Sequence, residues 1–295
     1  MAYGTPTTPD DVEAYYTRIR YGRPPTPELL ADLTRRYNAI GGTSPLAQRT
    51  ADQVRGIAHA LDTLAPGRYD VRFGSKYEPP LLEATAQSFR DDGVTRVVAI
   101  ALAPHSSSMS TVQYMDRARA ALGPDVTFVP VGAWWEAPGF LELVARRVLD
   151  ALETIDEDRH DTTEVVFSAH SLPEKILANG DNYPEQLRTS AERCAQLAGL
   201  TRWDVAWQSA GRTADAWIGP DILAVLREKR RQGVTDIVSC PIGFVADHLE
   251  VLFDIDVEAM GVAHEIGLTL VRTASLNADP AFVEILARVI LAEDR

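Results

Sequence analysis

The chain has 295 residues, 45% of them hydrophobic, which suffices for a substantial core in one large or two medium α/β domains and excludes a disordered polypeptide. Its formal net charge of -13 argues against nucleic acid or an anionic membrane as principal partner, because both call for a basic face. With Cys194 and Cys240 as its 2 cysteines, it can build neither a disulfide framework nor a four-cysteine zinc or iron–sulfur site; with no apolar run near the ~20 residues of a membrane span, a cytoplasmic protein is expected.

The first 65 residues read as helices over 9–20, 27–39 and 45–63, joined through a Gly-Arg-Pro-Pro turn, and are expected to form a lid or pocket wall. Beyond them, apolar β-branched runs at 69–74, 95–103, 126–132, 163–168, 203–208, 234–240 and 267–272 alternate with helical patterns. Those patterns fall near 80–92, 111–122, 138–153, 184–198, 220–232, 246–260 and 280–292. Alternation of this kind predicts parallel sheets covered on both faces. The acidic stretch ETIDEDRHD at 153–161 is the expected boundary, giving an N-terminal α/β half over 1–155 with the helical wall and a C-terminal half over 156–295. The last helix is expected to pack back on the first half. VVAIALAPHSSS (97–108) and VVFSAHSLP (165–173) both read as strands ending in a small residue, His and Ser, an echo that suggests two similar halves with His105 and His170 at equivalent strand ends.

Several residues along this framework could carry chemistry. Tyr3 lies beside Gly4 in a turn, where a phenol can project into a cleft. Arg20, Arg35, Arg36 and Tyr37 could offer guanidinium forks to carboxylates, although surface solvation accounts for any one arginine alone. In IGGTSPLAQRT, Ser44 reads as N-cap and Pro45 as first helical residue; a helix N-terminus favours an anion, with simple capping as the alternative. Tyr114 either lines the same pocket or packs. Trp134, Trp135, Trp203, Trp207 and Trp217 belong mostly to the core, yet WWEAPG and AWQSAGRT stand at strand ends where a flat apolar ligand would find walls.

His170 follows the strand 163–168, at the C-terminal edge where open α/β sheets bind ligands. An imidazole there can hold a transition metal or accept a proton near neutral pH. Glu250, Asp254 and Glu258 recur every four residues on the expected helix 246–260, so their side chains drift only ~40° per step and share one face. Like charges in file repel unless they lie in open solvent or a cation runs along them. Apolar neighbours Val251, Leu252, Phe253, Ile255 and Val257 favour the buried, cation-carrying alternative. No GxGxxG or P-loop signature supports a nucleotide enzyme, and no GxSxG elbow supports a serine hydrolase.

At SAHSLPEKI and PIGFVADHLEVLFDIDVE, the chain resembles the ferrochelatase family; MAYGTP, YYTRIRYGRPP, RYNAIGGTSPLAQ and LAPH extend the likeness over essentially its whole length. It looks most like the coproporphyrin III ferrochelatases of Gram-positive-type bacteria. The resemblance implies two similar Rossmann-like halves, each a four-stranded parallel sheet flanked by helices, with the porphyrin in the cleft between them. It also implies a lyase that inserts ferrous iron into coproporphyrin III in haem biosynthesis. Carried over by position, His170 and Glu250 become the catalytic metal-site pair and Asp254 and Glu258 its continuation. Tyr3 becomes the tyrosine that approaches iron from the opposite face, and Arg20, Arg36, Tyr37, Ser44 and Tyr114 contact the porphyrin or its propionates. No cofactor and no iron–sulfur cluster are expected. The expected partners are coproporphyrin III, ferrous iron and a downstream coproheme-processing enzyme, with the protein itself a monomer. Relatives carry apolar residues ahead of the MAYGTP motif that form a first strand, so an unpaired sheet edge or an upstream start is expected. Alternatives are a protoporphyrin IX ferrochelatase, a chelatase for cobalt or a sirohydrochlorin-like ring, and a non-catalytic haem or porphyrin carrier.

Overall fold

The structure, a computed structural model, describes residues 1–211 and 213–295. Helices α1 (Val12–Ile19), α2 (Pro27–Ala39) and α3 (Leu46–Leu64) open the chain. Thr26 caps α2 by accepting from the Leu29 amide at 3.4 Å, with Pro27 in the first helical position, where its missing N–H costs nothing. Ser44 was expected to cap α3 directly. Instead Pro45 occupies the cap and the helix begins at Leu46, while the Ser44 hydroxyl still accepts from the Leu46 amide at 3.2 Å, satisfying an otherwise orphaned donor from one residue further out.

The first half continues through α4 (Leu82–Asp91), β1 (Arg96–Ala99), α5 (Thr111–Leu122), β2 (Thr127–Pro130) and α6 (Phe140–Leu152). Its sheet departs from the expected four strands: β1 pairs with β2 in parallel and, among the described residues, no third strand joins them. The run 69–74 is not a strand. Only its end is bridged, by Met1–Tyr3: the Ala2 amide donates to Gly74 O at 3.3 Å and the Lys76 amide to Ala2 O at 3.0 Å. On the other side the Met1 ammonium donates to Ile100 O at 2.7 Å, and Leu102 N to Met1 O at 2.9 Å. A strand exists only where a neighbour takes its backbone groups, so 69–73 stays irregular and Val71, Phe73, Val97 and Val98 stay only half-buried.

The second half has the expected four strands. After β3 (Glu164–His170) come α7 (Tyr183–Leu197), β4 (Trp203–Gln208), α8 (Ile222–Arg231), β5 (Asp236–Cys240), α9 (Leu249–Leu252), a π-helical turn over Asp254–Ala259, α10 (Met260–Glu265), β6 (Thr269–Arg272) and α11 (Pro280–Glu293). All strands are parallel, in the order β4-β3-β5-β6. β3 is central and buried from Glu164 to Ala169, as a strand covered on both faces must be. Val165, Phe167 and Ala169 enter one apolar cluster and Val166 another, following the alternation of side chains along a strand.

The first of these clusters joins the halves. Phe140 and Val148 of α6, Leu187 of α7 and Phe282 and Leu286 of α11 meet there, together with Ile57 and Leu61 of α3. The last helix therefore packs back on the first half. Among the described residues no helix is long and apolar enough to cross a membrane.

Candidate active site

β3 ends at His170, and its register sets Gln208 of β4 directly alongside. The Tyr183 hydroxyl donates to His170 O at 3.0 Å and fixes the backbone there. His170 Nδ1 faces the Ser171 carbonyl, which can only accept, so Nδ1 carries the hydrogen and Nε2 turns outward as the ligating or proton-accepting atom.

Nε2 of His170 lies 3.5 Å from Oε1 of Glu250, the first residue but one of α9. Glu250 is held by its backbone: Ser168 donates to Gln208 Oε1 at 2.8 Å, and Gln208 Nε2 donates to Glu250 O at 2.8 Å. The loop from β5 to α9 crosses so near β3 that residue 243 must be glycine. A Cβ there would lie 2.4 Å from the Ala169 Cβ, while the Gly243 amide donates to Ser168 O at 3.0 Å.

His248 joins the pair, its Nε2 3.5 Å from Glu250 Oε2 and its Nδ1 donating to Ala246 O at 2.8 Å, so that it too presents a free Nε2. Sequence reasoning missed it. On a helix running from 246, residues 248 and 250 would point some ~200° apart. His248 instead caps α9 in an extended conformation (φ -158°, ψ 178°), which turns it to the same side as Glu250.

The three acids do not lie on one regular α-helix: the chain passes into π turns, with the Glu258 amide donating to Phe253 O at 2.9 Å. Glu258 is exposed, Asp254 is only 5% exposed, and the Glu250 side chain is 37% exposed. Val257, expected in the core, is exposed. Asp254 accepts from Ser209 and lies 3.8 Å from the Arg36 guanidinium. Gln208 and Ser209 were not anticipated; their only sequence signal was the strand end in AWQSAGRT.

Electrostatics follow from this packing. Burial opposes a charge on His170, but the Glu250 carboxylate and the Ser171 carbonyl outweigh it and raise the imidazole to about 9. Burial likewise opposes the Glu250 charge, and the two imidazoles overcome it and hold the carboxyl well below the usual range. Asp254 rises to about 6, through burial first and then the Glu250 and Glu258 charges, against the pull of Ser209 and Arg36.

The first half places several tyrosines within the field of Glu250. Tyr3, 39% exposed, sits edge-on to Tyr77 with ring centroids 4.7 Å apart, and desolvation and the Glu250 charge both raise its phenol well above the ordinary value. Gly4 turns the chain behind it at φ 90°, where a Cβ would meet Ser75 Oγ at 2.8 Å. Tyr37 and Tyr114 are buried, Tyr37 within 3.3 Å of the Thr5 hydroxyl. Arg20 stacks over Tyr16 at 5.8 Å with its buried Nε unpartnered. Arg36 pairs with Asp32 and lies over the Phe253 ring at 5.2 Å. His105, the counterpart of His170 in the sequence echo, is buried away from the cleft and bonded to the Ser190 hydroxyl at 2.8 Å.

His170 Nε2 and Glu250 Oε1, 3.5 Å apart, are close enough for one cation to bond both at the usual ~2.1 Å. Among the described residues no three His, Cys, Asp or Glu side chains gather tightly enough to hold a metal themselves.

A family of sequences described as Ferrochelatase matches residues 1–294. Similar curated proteins include the ferrochelatase of Herpetosiphon aurantiacus, 42% identical over 99% of this chain and 97% of that protein, and the coproporphyrin III ferrochelatases of Geobacillus thermodenitrificans (43%; 99% and 93%) and Bacillus pumilus (42%; 99% and 95%). Among solved structures, CbiX, the terminal enzyme of siroheme biosynthesis in denitrifying bacteria, aligns with a TM-score of 0.55 at 16% identity, covering 84% of this chain and 93% of that one. The sirohydrochlorin chelatase SirB of Bacillus subtilis subspecies spizizenii aligns at 0.53 and 14%, covering 82% and 89%. At such identities these two speak for the fold.

Proposed function

We propose that this chain, which belongs to the ferrochelatase family, inserts ferrous iron into coproporphyrin III to give iron coproporphyrin III, a step of haem biosynthesis. The observation that carries the reading is the convergence of His170 Nε2 and Glu250 Oε1 at 3.5 Å. Relatives of 41–43% identity that carry the coproporphyrin III name support the choice of porphyrin.

Metalation requires a planar macrocycle to lose two pyrrole protons while a divalent cation sheds water. His170 and Glu250 supply the transient ligands and the base. Asp254 and Glu258 relay metal inward or protons outward along the file. Tyr3 and Arg20 close the opposite face, and Arg36, Tyr37, Ser44 and Tyr114 contact the ring or its propionates. Iron is the substrate, and the reaction calls for neither a redox step nor a nucleotide, so no resident cofactor is assigned. We assign a cytoplasmic monomer that hands its product to a coproheme-processing enzyme, with residues 1–155 and 156–295 as the two halves of the site.

The test is anaerobic ultraviolet–visible monitoring of the purified protein with ferrous iron and either coproporphyrin III or protoporphyrin IX. Protein-dependent loss of the free-base bands, faster with coproporphyrin III, is expected. Bands that persist with both porphyrins would remove the assignment, and a preference for protoporphyrin IX would move it to that substrate.

A further inference from the structure

Asn277 stands in the connection between β6 and α11 with a left-handed backbone, φ 47°. It bonds the segment that leads into α9 through main chain and side chain alike. Its backbone N–H donates to Val245 O at 2.8 Å, its Oδ1 accepts from the Asp247 N–H at 2.9 Å, and its Nδ2 donates to Asp247 Oδ2 at 2.9 Å. Asparagine suits the position because its short side chain tolerates that backbone and carries a donor and an acceptor together. From the first half, Gln53 Nε2 of α3 donates to Asn277 O at 2.9 Å and to Val245 O at 3.3 Å.

The other Asp247 oxygen accepts from the Ser275 hydroxyl at 2.7 Å and lies 3.4 Å from the Arg272 guanidinium. The same guanidinium grips Asp256 with two bonds, of 2.6 and 2.9 Å. Asp247 and Asp256 flank the stretch that bears His248, Glu250 and Asp254, so residues 272–277 tie that stretch down at both ends. Burial opposes the Asp247 charge, and Asn277, Ser275 and Arg272 outweigh it and hold the carboxyl below its ordinary value. The stretch depends on such ties, because α9 has only 4 residues and runs straight into a π turn. A single helical turn does not hold its own shape in water.

We propose that Asn277 is a positioning residue for iron insertion: by gripping Asp247 through both its N–H and its carboxylate, it keeps α9 where Glu250 stands 3.5 Å from His170. The inference rests on the reading of the metal pair given above.

The test compares wild type with Asn277→Gly, Asn277→Asp, Asp247→Asn and the exchange variant Asn277→Asp/Asp247→Asn. Each is assayed for iron insertion, for coproporphyrin III binding by fluorescence, for zinc chloride binding by calorimetry at the site that Glu250→Gln abolishes, and for its thermal midpoint. Asn277→Gly keeps the left-handed backbone and loses only the side-chain bonds. Asn277→Asp sets two carboxylates against each other, and the exchange restores one donor and one acceptor. Each single substitution should lower kcat and zinc affinity by about 10- to 100-fold, the range for partners that orient a metal ligand, while porphyrin Kd stays within about twofold. The exchange variant should recover to within about threefold of wild type, since the pair of bonds is remade. Wild-type kcat and zinc affinity in Asn277→Gly overturn the proposal, as do losses that simply add in the exchange variant or that follow the midpoints with no recovery. A wild type that binds zinc and inserts no iron removes the function proposed above, and the zinc affinities then decide the role of Asn277 by themselves; a wild type that does neither removes both.

Discussion

His170 Nε2 and Glu250 Oε1 face each other at 3.5 Å, one from the tip of a central strand and the other from a short helix behind it. The distance is long for a hydrogen bond and short for two groups that ignore each other. Each side chain is fastened from behind, His170 through Nδ1 and Ser171 O, Glu250 through its carbonyl and Gln208. Their free atoms are thus held in place without saturating each other, as a site that must grip and release a cation requires.

Glu250→Gln preserves shape and removes the charge and the basic oxygen. Iron insertion should fall by about 100- to 10,000-fold, the range for loss of a positioned base. Coproporphyrin III binding should remain within about twofold, because the cleft wall is untouched. Anaerobic insertion rates and fluorescence titration on the same preparation separate the two effects, and an unchanged insertion rate would take Glu250 out of the mechanism.

The same pair sets a pH dependence. With His170 raised to about 9, the free protein carries a proton on Nε2 at neutral pH, and raising the pH frees that atom for metal or a pyrrole proton. Asp254, raised to about 6, becomes a carboxylate above that point. The kcat/KM for insertion, corrected for the protein-free rate, should therefore climb between about 6 and about 9. Removing the Glu250 charge lowers the His170 value, so residual activity of Glu250→Gln should reach its plateau at lower pH. A flat wild-type profile over this interval contradicts the assignment.

Much of this site was legible because its signals are local. Val165–Ala169 is a continuous buried strand that can end only at a sheet edge, so His170 was placed from its neighbours alone. The spacing of Glu250, Asp254 and Glu258 survives a π turn, since a step of four residues stays near one full rotation in either helix. What escaped depends on partners or on single dihedral angles. The run 69–74 has a strand composition, but pairing decides whether it is one. His248 shares the site only because its extended cap conformation cancels the half-turn that a helix would impose. Gln208 and Ser209 matter through a register with β3 that no local pattern displays.

His105 supplies a test of stability away from the chemistry. It is buried against Ser190 and Trp135, Nδ1 has no partner, and burial lowers its pKa from 6.5 to about 3. Between those values the unfolded chain binds a proton that the folded chain refuses, so stability falls as pH drops, by about 1.4 kcal/mol per pH unit from this group. Above 6.5 both states are neutral and the contribution vanishes. Urea midpoints for wild type and His105→Gln between pH 7 and 4.5 should converge toward acid as the wild type loses its advantage. Parallel curves would show that His105 titrates alike in both states.

Gly243→Ala tests whether the loop crossing sets the distance between His170 and Glu250. The added methyl would fall 2.4 Å from the Ala169 Cβ and 2.8 Å from its Cα, against a comfortable carbon contact of about 3.5–4.0 Å. Ala169 cannot retreat, because it is fully buried one residue before the end of β3, so the loop that leads to His248 and α9 must lift by about 1 Å. A displacement of that size costs about 100-fold in rate where geometry is limiting, and overpacking costs about 1–3 kcal/mol of stability. Adding Ala169→Gly removes the nearer clash and should restore part of both losses. Gly261→Ala is the matching control: a helical glycine in α10 with open space around its Cβ, where alanine should leave the rate unchanged and raise stability slightly. Should Gly243→Ala insert iron at the wild-type rate, the close crossing of β3 would have no part in holding Glu250 at its distance from His170.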